Sequence, residues 1–165
     1  MLKVKPERDI NSRKSRRENW WLFGEVMPRT RRAIEGLSRY IVTPETSKYR
    51  VFILVDGKIL PEHGLIAIGS DSGLIFGILS SKIHVTWALA AGGTLEDRPR
   101  YNKTCCFDPF PFPDRTPAQK QKIRELGERL DSHRKQVQAA HPDITITGMY
   151  NLLEKLRAGE PFTQK

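Results

Sequence analysis

Cysteine is nearly absent: two residues in 165, the adjacent Cys105 and Cys106. Neighbouring cysteines bridge each other only with strain. The chain therefore carries no disulfide framework and no paired-cysteine metal spacing, and a reducing, cytoplasmic location is expected. The four histidines, His63, His84, His133 and His141, are scattered and none has a partner at metal-ligand spacing. No long hydrophobic run occurs either. The richest stretch, 73–91, is interrupted by Ser80, Ser81, Lys82 and His84. That is too polar for a membrane span, and the first residues are charged, without an apolar signal core. The phosphate-cradling loop is missing too, because Gly69-Ser70-Asp71-Ser72-Gly73 lacks a Gly-Lys-Ser/Thr ending. Ser80-Ser81 and His84 share one predicted helix, but no orienting acid or oxyanion hole accompanies them.

What the chain has is positive charge. The formal net charge is +9, and its distribution is uneven: +7 over residues 1–50, −1 over 51–115 and +3 over 116–165. A basic excess of this kind favours a polyanionic partner, most often nucleic acid. A merely soluble basic protein has the same composition.

Hydrophobic periodicity and turn signals divide the chain. Residues 1–19 are polar and basic, a flexible lead-in or the end of a preceding domain. Trp20-Trp21-Leu22-Phe23 is an abrupt aromatic cluster of the kind that enters a core or an interface. Pro28 suits a first helical turn. Arg39–Pro44 reads as a strand stopped by proline, Tyr49–Val55 as a buried strand, Asp56-Gly57 as a tight turn returning through Lys58-Ile59-Leu60, and Leu65–Gly69 as another strand. Leu74, Ile75, Ile78, Leu79, Ile83, Trp87 and Leu89 predict one helix over about 73–91, capped by Asp71 or Ser72 and ended by Gly92-Gly93. Arg98–Phe107 reads as extended. The Pro-Phe repeat at 109–113 excludes helix and marks a boundary. Thr116-Pro117 opens a helix to about Ala140, and Thr147 caps a last one to about Ala158. The expected fold class is α+β: a small mixed β-sheet core over 20–113 with a packed helix, then a C-terminal helical hairpin over 114–165.

The segment with the most specific chemistry follows Gly92-Gly93. In a strand, side chains two apart share a face, so Glu96 and Arg98 are expected side by side. A carboxylate accepts from the cytosine N4 amino group, and a guanidinium donates to guanine O6 and N7. Such a pair suits one C·G base pair; it also suits an ordinary surface ion pair. Arg29, Arg31, Arg32, Arg39, Lys82, Arg100 and Lys103 are candidate phosphate contacts, which give affinity without sequence information. Each is equally at home as a solvated charge. Asp108-Pro109-Phe110-Pro111 superficially matches the Asp-Pro-Pro-Tyr loop of amino-methyltransferases. It departs at the third position, and no glycine-rich cofactor strand precedes it.

Several short motifs occur in a fixed order. They are Arg39-Tyr40-Ile41, then Gly77-Ile78-Leu79-Ser80-Ser81-Lys82-Ile83-His84-Val85-Thr86-Trp87, Gly92-Gly93-Thr94-Leu95-Glu96, Arg100-Tyr101-Asn102, Thr104, and Phe110-Pro111-Phe112-Pro113. Together with Trp20-Trp21 and Met27-Pro28-Arg29 upstream, this order resembles the target-recognition domain of the MmeI-like type IIL restriction–modification enzymes and related adenine-N6 DNA methyltransferases. The resemblance covers about residues 19–160, with 114–165 similar to the helical tail of that domain. It implies a parent polypeptide with a nuclease, a helical spacer, and a methyltransferase domain using S-adenosylmethionine. It also implies that a variable pair two residues apart after the Gly-Gly turn, here Glu96 and Arg98, reads one base pair, with Glu/Arg going with C·G. The catalytic and cofactor motifs of that parent are not in this sequence. The chain is therefore expected to be a non-catalytic piece of a larger protein, with no cofactor of its own. Its expected partners are double-stranded DNA and a catalytic methyltransferase domain in cis, or in trans if the gene is split; no membrane is expected. A protein-interaction domain docking through Trp20–Phe23 and the Phe-Pro repeat is the alternative. Cys105 and Cys106 are expected to be packed or inert.

Overall fold

The computed structural model describes residues 3–22 and 27–159. Its contacts divide the chain into two units, Met1–Ala33 and Ile34–Lys165. The first unit holds two short helices, α1 (Val4–Asp9) and α2 (Lys14–Glu18). Neither buries a residue. Trp20 and Trp21 stack edge to face at 5.9 Å, but Trp21 and Leu22 are exposed. The aromatic cluster is thus no core at these two positions, and Phe23 lies outside the described residues. Helix α3 (Pro28–Ile34) starts at the predicted proline.

The second unit is built on an antiparallel sheet of β1 (Arg39–Pro44), β2 (Ile53–Asp56) and β3 (Leu65–Ile68), in the order β2-β1-β3. The α+β class holds, with an antiparallel sheet where a mixed one was expected. Strand β1 is central and buried on both faces, and period-2 alternation sorts its side chains. Tyr40 and Val42 join Ile34 in one cluster; Ile41 joins Phe52, Leu54, Phe76, Leu79, Ala88, Tyr101 and Cys106 in the other. Asp56-Gly57 does turn the chain, but Lys58-Ile59-Leu60 adds no strand. The Ile59 carbonyl instead accepts from the Tyr40 hydroxyl at 2.9 Å.

The helix expected over 73–91 is two, α4 (Gly73–Leu79) and α5 (Lys82–Ala91), bent by 57°. Ser81 is the cause. Its backbone is extended, and its hydroxyl accepts from the His84 amide at 3.2 Å, so it caps a new helix. The segment expected to run extended from Arg98 to Phe107 is strand at Arg98–Pro99, bridges Thr46 at Arg100, is still extended at Asn102, and then closes a π-helical turn, Lys103–Phe107. Asn102 starts the turn, accepting from the Thr104 amide and hydroxyl.

Helix α6 (Pro117–Ala140) opens with a capping box between Thr116 and Gln119. Helix α7 (Ile146–Ala158) is capped by Thr145, whose hydroxyl accepts from Gly148, not by Thr147. Two threonines two residues apart give the same capping signal, so spacing alone could not choose. Helix α6 lies against α4 at glycines: a side chain on Gly127 would overlap the Gly73 carbonyl, and one on Gly77 would sit 2.8 Å from the Ile123 carbonyl. Arg39 fastens β1 to this pair. Its Nη1 and Nη2 donate to Glu128 at 2.9 and 2.5 Å, and its Nε and Nη2 to the Asp71 carbonyl. The adjacent guanidinium holds the Glu128 carboxyl below the usual carboxylate range. From the other side of α6, Arg134 donates to the Phe52 carbonyl at 2.8 Å and to the Tyr150 hydroxyl of α7.

Candidate nucleic-acid interface

Helix α5 delivers the chain to an exposed hairpin. Gly92 ends the helix where a side chain would overlap the Arg100 carbonyl, and Gly93 turns at φ +67°. These are two separate reasons for two glycines: close approach, then a left-handed backbone. Strands β4 (Thr94–Leu95) and β5 (Arg98–Pro99) follow, paired Thr94 to Pro99 and Leu95 to Arg98. The Arg100 amide closes the base on the Gly93 carbonyl at 3.1 Å.

Glu96 and Asp97 are therefore the turn. Glu96 and Arg98 do not lie two apart on one strand face; they flank Asp97 across a tight reversal, with Glu96 at φ +55°. Two-residue hairpin links demand left-handed backbone, and no glycine or asparagine at 95–98 announced the turn. A non-glycine residue held there costs about 1 kcal/mol or more. All three residues are exposed. The ion pair formed is Arg98 Nε to Asp97 Oδ1 at 3.9 Å. The tip thus presents two carboxylates and one guanidinium to solvent.

The hairpin is strapped to the sheet through the loop after β1. The Ser47 amide donates to the Pro99 carbonyl at 3.2 Å and the Tyr101 amide to the Glu45 carbonyl at 2.6 Å. Arg100 donates through Nε and Nη2 to Glu45 Oε1 at 2.8 and 2.6 Å. Behind them Arg50, 6% exposed, donates to Thr43 Oγ1 at 3.0 Å, to the Pro44 and Glu45 carbonyls, and to the Pro99 carbonyl at 3.0 Å. Its guanidinium lies 5.1 Å from the centre of the Tyr101 ring. Beside the hairpin is a polar cleft of about 710 Å³, lined by Thr46, Ser47, Lys48, Asp97, Arg98, Pro99 and Thr147.

Under the hairpin, Tyr101 and His84 are fully buried, with the hydroxyl 3.1 Å from His84 Nε2. Burial, then the charge of Arg50, pushes the His84 imidazole down to about 4; burial raises the Tyr101 phenol. The ring of His84 also meets Phe110 edge to face at 4.4 Å. Phe110 is buried among His84, Trp87 and Phe112. The Phe-Pro repeat is therefore anchored internally at Phe110, while Pro109, Pro111 and Pro113 stay exposed.

The candidate phosphate contacts divide. Arg29, Arg31 and Arg32 are exposed on α3, in the first unit. Lys82, the first residue of α5, is exposed. Arg100 is half-exposed on Glu45, and Lys103 donates to Asp108 Oδ2 at 2.6 Å. Arg39, partly exposed, is engaged by Glu128 and the Asp71 carbonyl, as described above. Of the cysteines, Cys106 is buried, its thiol 3.6 Å from the Ala88 carbonyl, and Cys105 is exposed. Sequence reasoning missed Arg50, Glu45 and Tyr101 as supports of the hairpin. A signal existed for Arg50: a lone arginine inside the apolar run Tyr49–Val55.

Residues 3–114 match the family described as MmeI, target recognition domain. The chain belongs to this family. Over 101 residues it is 36% identical to DNA methyltransferase A of Bacillus subtilis (strain 168), a stretch that is 58% of this chain and 12% of that protein. Its fold superposes with a TM-score of 0.67 on a solved structure of the Type IIL restriction-modification enzyme MmeI in complex with DNA, at 25% identity, covering 82% of this chain and 18% of that one. The chain thus spans less than a fifth of the length of either relative.

Proposed function

We propose that this MmeI-type recognition domain reads double-stranded DNA on behalf of an adenine-N6 methyltransferase or restriction–modification enzyme. The observation that carries the reading is the strapped β4–β5 hairpin, whose exposed tip sets Glu96 and Asp97 beside Arg98. The guanidinium has the donors for guanine O6 and N7, and a carboxylate has the acceptor for cytosine N4. Arg29, Arg31, Arg32, Lys82, Arg100 and Lys103 contact phosphates and set the register. Arg39 stays on Glu128 as a structural clasp. The chemistry belongs to a separate catalytic domain, in cis or in trans, which takes the target adenine out of the stack.

S-adenosylmethionine is assigned to that domain. This chain's own glycine turn does not fit it: a side chain on Gly73 would overlap the Glu128 carboxylate, and Arg39 holds the Asp71 carbonyl, so Gly69–Gly73 forms no open cradle. A cytoplasmic location is part of the same proposal, a reducing compartment suiting two unpaired thiols.

Duplex binding by the chain is expected to weaken steeply with salt. With about six phosphates engaged, affinity falls on the order of 1000-fold between 50 and 200 mM salt. Docking through exposed Trp21 and Leu22 predicts a flat dependence, and a flat dependence would overturn the DNA reading. Fluorescence anisotropy on a labelled duplex measures it.

A further inference from the structure

The buried guanidinium of Arg50 is the least expected group in the second unit. It has no carboxylate against it among the described residues. Its acceptors are Thr43 Oγ1 and three main-chain carbonyls, Pro44, Glu45 and Pro99. A charge taken out of water this far is costly unless fully hydrogen-bonded, so a fold that needed only core volume here would carry an apolar side chain. The geometry supplies the use. Pro44 ends the central strand and Pro99 immediately follows Arg98 in β5. One rigid planar fork thus spans the strand end and the outgoing arm of the hairpin. A lysine ammonium is a point charge on a flexible stem and cannot make that bridge.

We propose that Arg50 is a positioning residue for Arg98: it fixes the outgoing arm of the β4–β5 hairpin to the end of β1, and so sets where the Arg98 guanidinium stands relative to a base pair. The proposal rests on the reading of this hairpin as the DNA-reading element. Glu45 supports the same arm from the solvent side through Arg100, but that pair is screened, whereas Arg50 is not. Arg50 touches no base. Its effect passes through backbone placement, and about 1 Å of misplacement at a recognition group is enough to lose most of its value.

The test is Arg50→Lys in the intact chain, with two readouts. The first needs no DNA: amide hydrogen exchange at Ser47, whose N–H donates to Pro99, and at Arg100, whose N–H donates to Gly93. The second is the ratio of affinities for duplexes differing at one base pair, measured beside the affinity for a non-specific duplex. The expected result is at least tenfold faster exchange at the Ser47 amide, with the wild-type base preference flattened about tenfold and non-specific affinity unchanged. A merely structural role would lower both affinities together and keep their ratio; a retained ratio overturns the proposal. If the wild-type chain has no base preference at any position, the DNA reading itself is overturned and this proposal with it. If Arg50→Lys does not fold, Thr43→Val removes one acceptor while keeping side-chain shape. Weaker Ser47 protection with a flattened ratio then supports the proposal, and an unchanged ratio overturns it.

Discussion

At the scale of single residues, the interior beneath the hairpin holds one buried charge, Arg50, and keeps the neighbouring imidazole neutral. His84 is buried with its Nδ1 unpartnered among the described residues, its Nε2 on Tyr101 and Arg50 nearby. Burial first, and the Arg50 charge second, disfavour the imidazolium, so the folded imidazole titrates near 4 rather than 6.5. Its folded value is depressed, so its contribution is complete above about pH 6.5 and is lost as pH falls toward 4. The whole loss is at most about 3 kcal/mol. Urea unfolding at pH 7.5 and pH 4.5 measures it, and His84→Gln should remove most of the difference. An identical pH dependence in that variant would show that other groups carry it. Residues of this kind were only partly legible. The sequence shows a histidine on an apolar helix face, but not the tyrosine 17 positions away that receives it. Glu96 is the opposite case. Its chemistry was readable and its backbone was not, because nothing at 95–98 announces a left-handed turn.

At the scale of elements, short-range signals carried most of the fold. Pro28, Thr116-Pro117 and Gly92-Gly93 mark boundaries that the structure keeps, since caps and breakers act through local hydrogen bonds. The break at Ser80-Ser81 was visible only as a polar interruption; the apolar period runs through it, and the 57° bend comes from a cap rather than from the pattern. The pairing of α4 with α6 was invisible, because Gly73, Gly77 and Gly127 acquire meaning only when two distant segments meet. That pairing yields a contrast. Gly127→Ala places a methyl into the Gly73 main chain, which cannot step aside as a side chain would, and should cost about 2–3 kcal/mol. Gly148→Ala on α7 meets only ordinary contacts and should be neutral or stabilising by up to about 1 kcal/mol. Thermal unfolding of the two variants checks the pair; equal melting temperatures would contradict the close α4–α6 crossing.

At the scale of the whole molecule, the proposed function assigns affinity to the basic N-terminal excess and discrimination to the few groups placed at the exposed acid–base tip. The sheet, α5 and the loop after β1 exist, in this account, to hold one small hairpin. That organisation was legible only through the order of motifs, since composition and periodicity do not say which loop is strapped and which is loose. The most direct measurement is therefore a charge exchange at the tip. Glu96→Lys with Arg98→Asp, in the full-length protein that carries this domain, is read by sequencing the DNA sites it modifies or selects. The account predicts a changed base preference at one position and the unchanged preference at all others. The same site preference in wild type and double variant would contradict the assignment of this hairpin as the reading element.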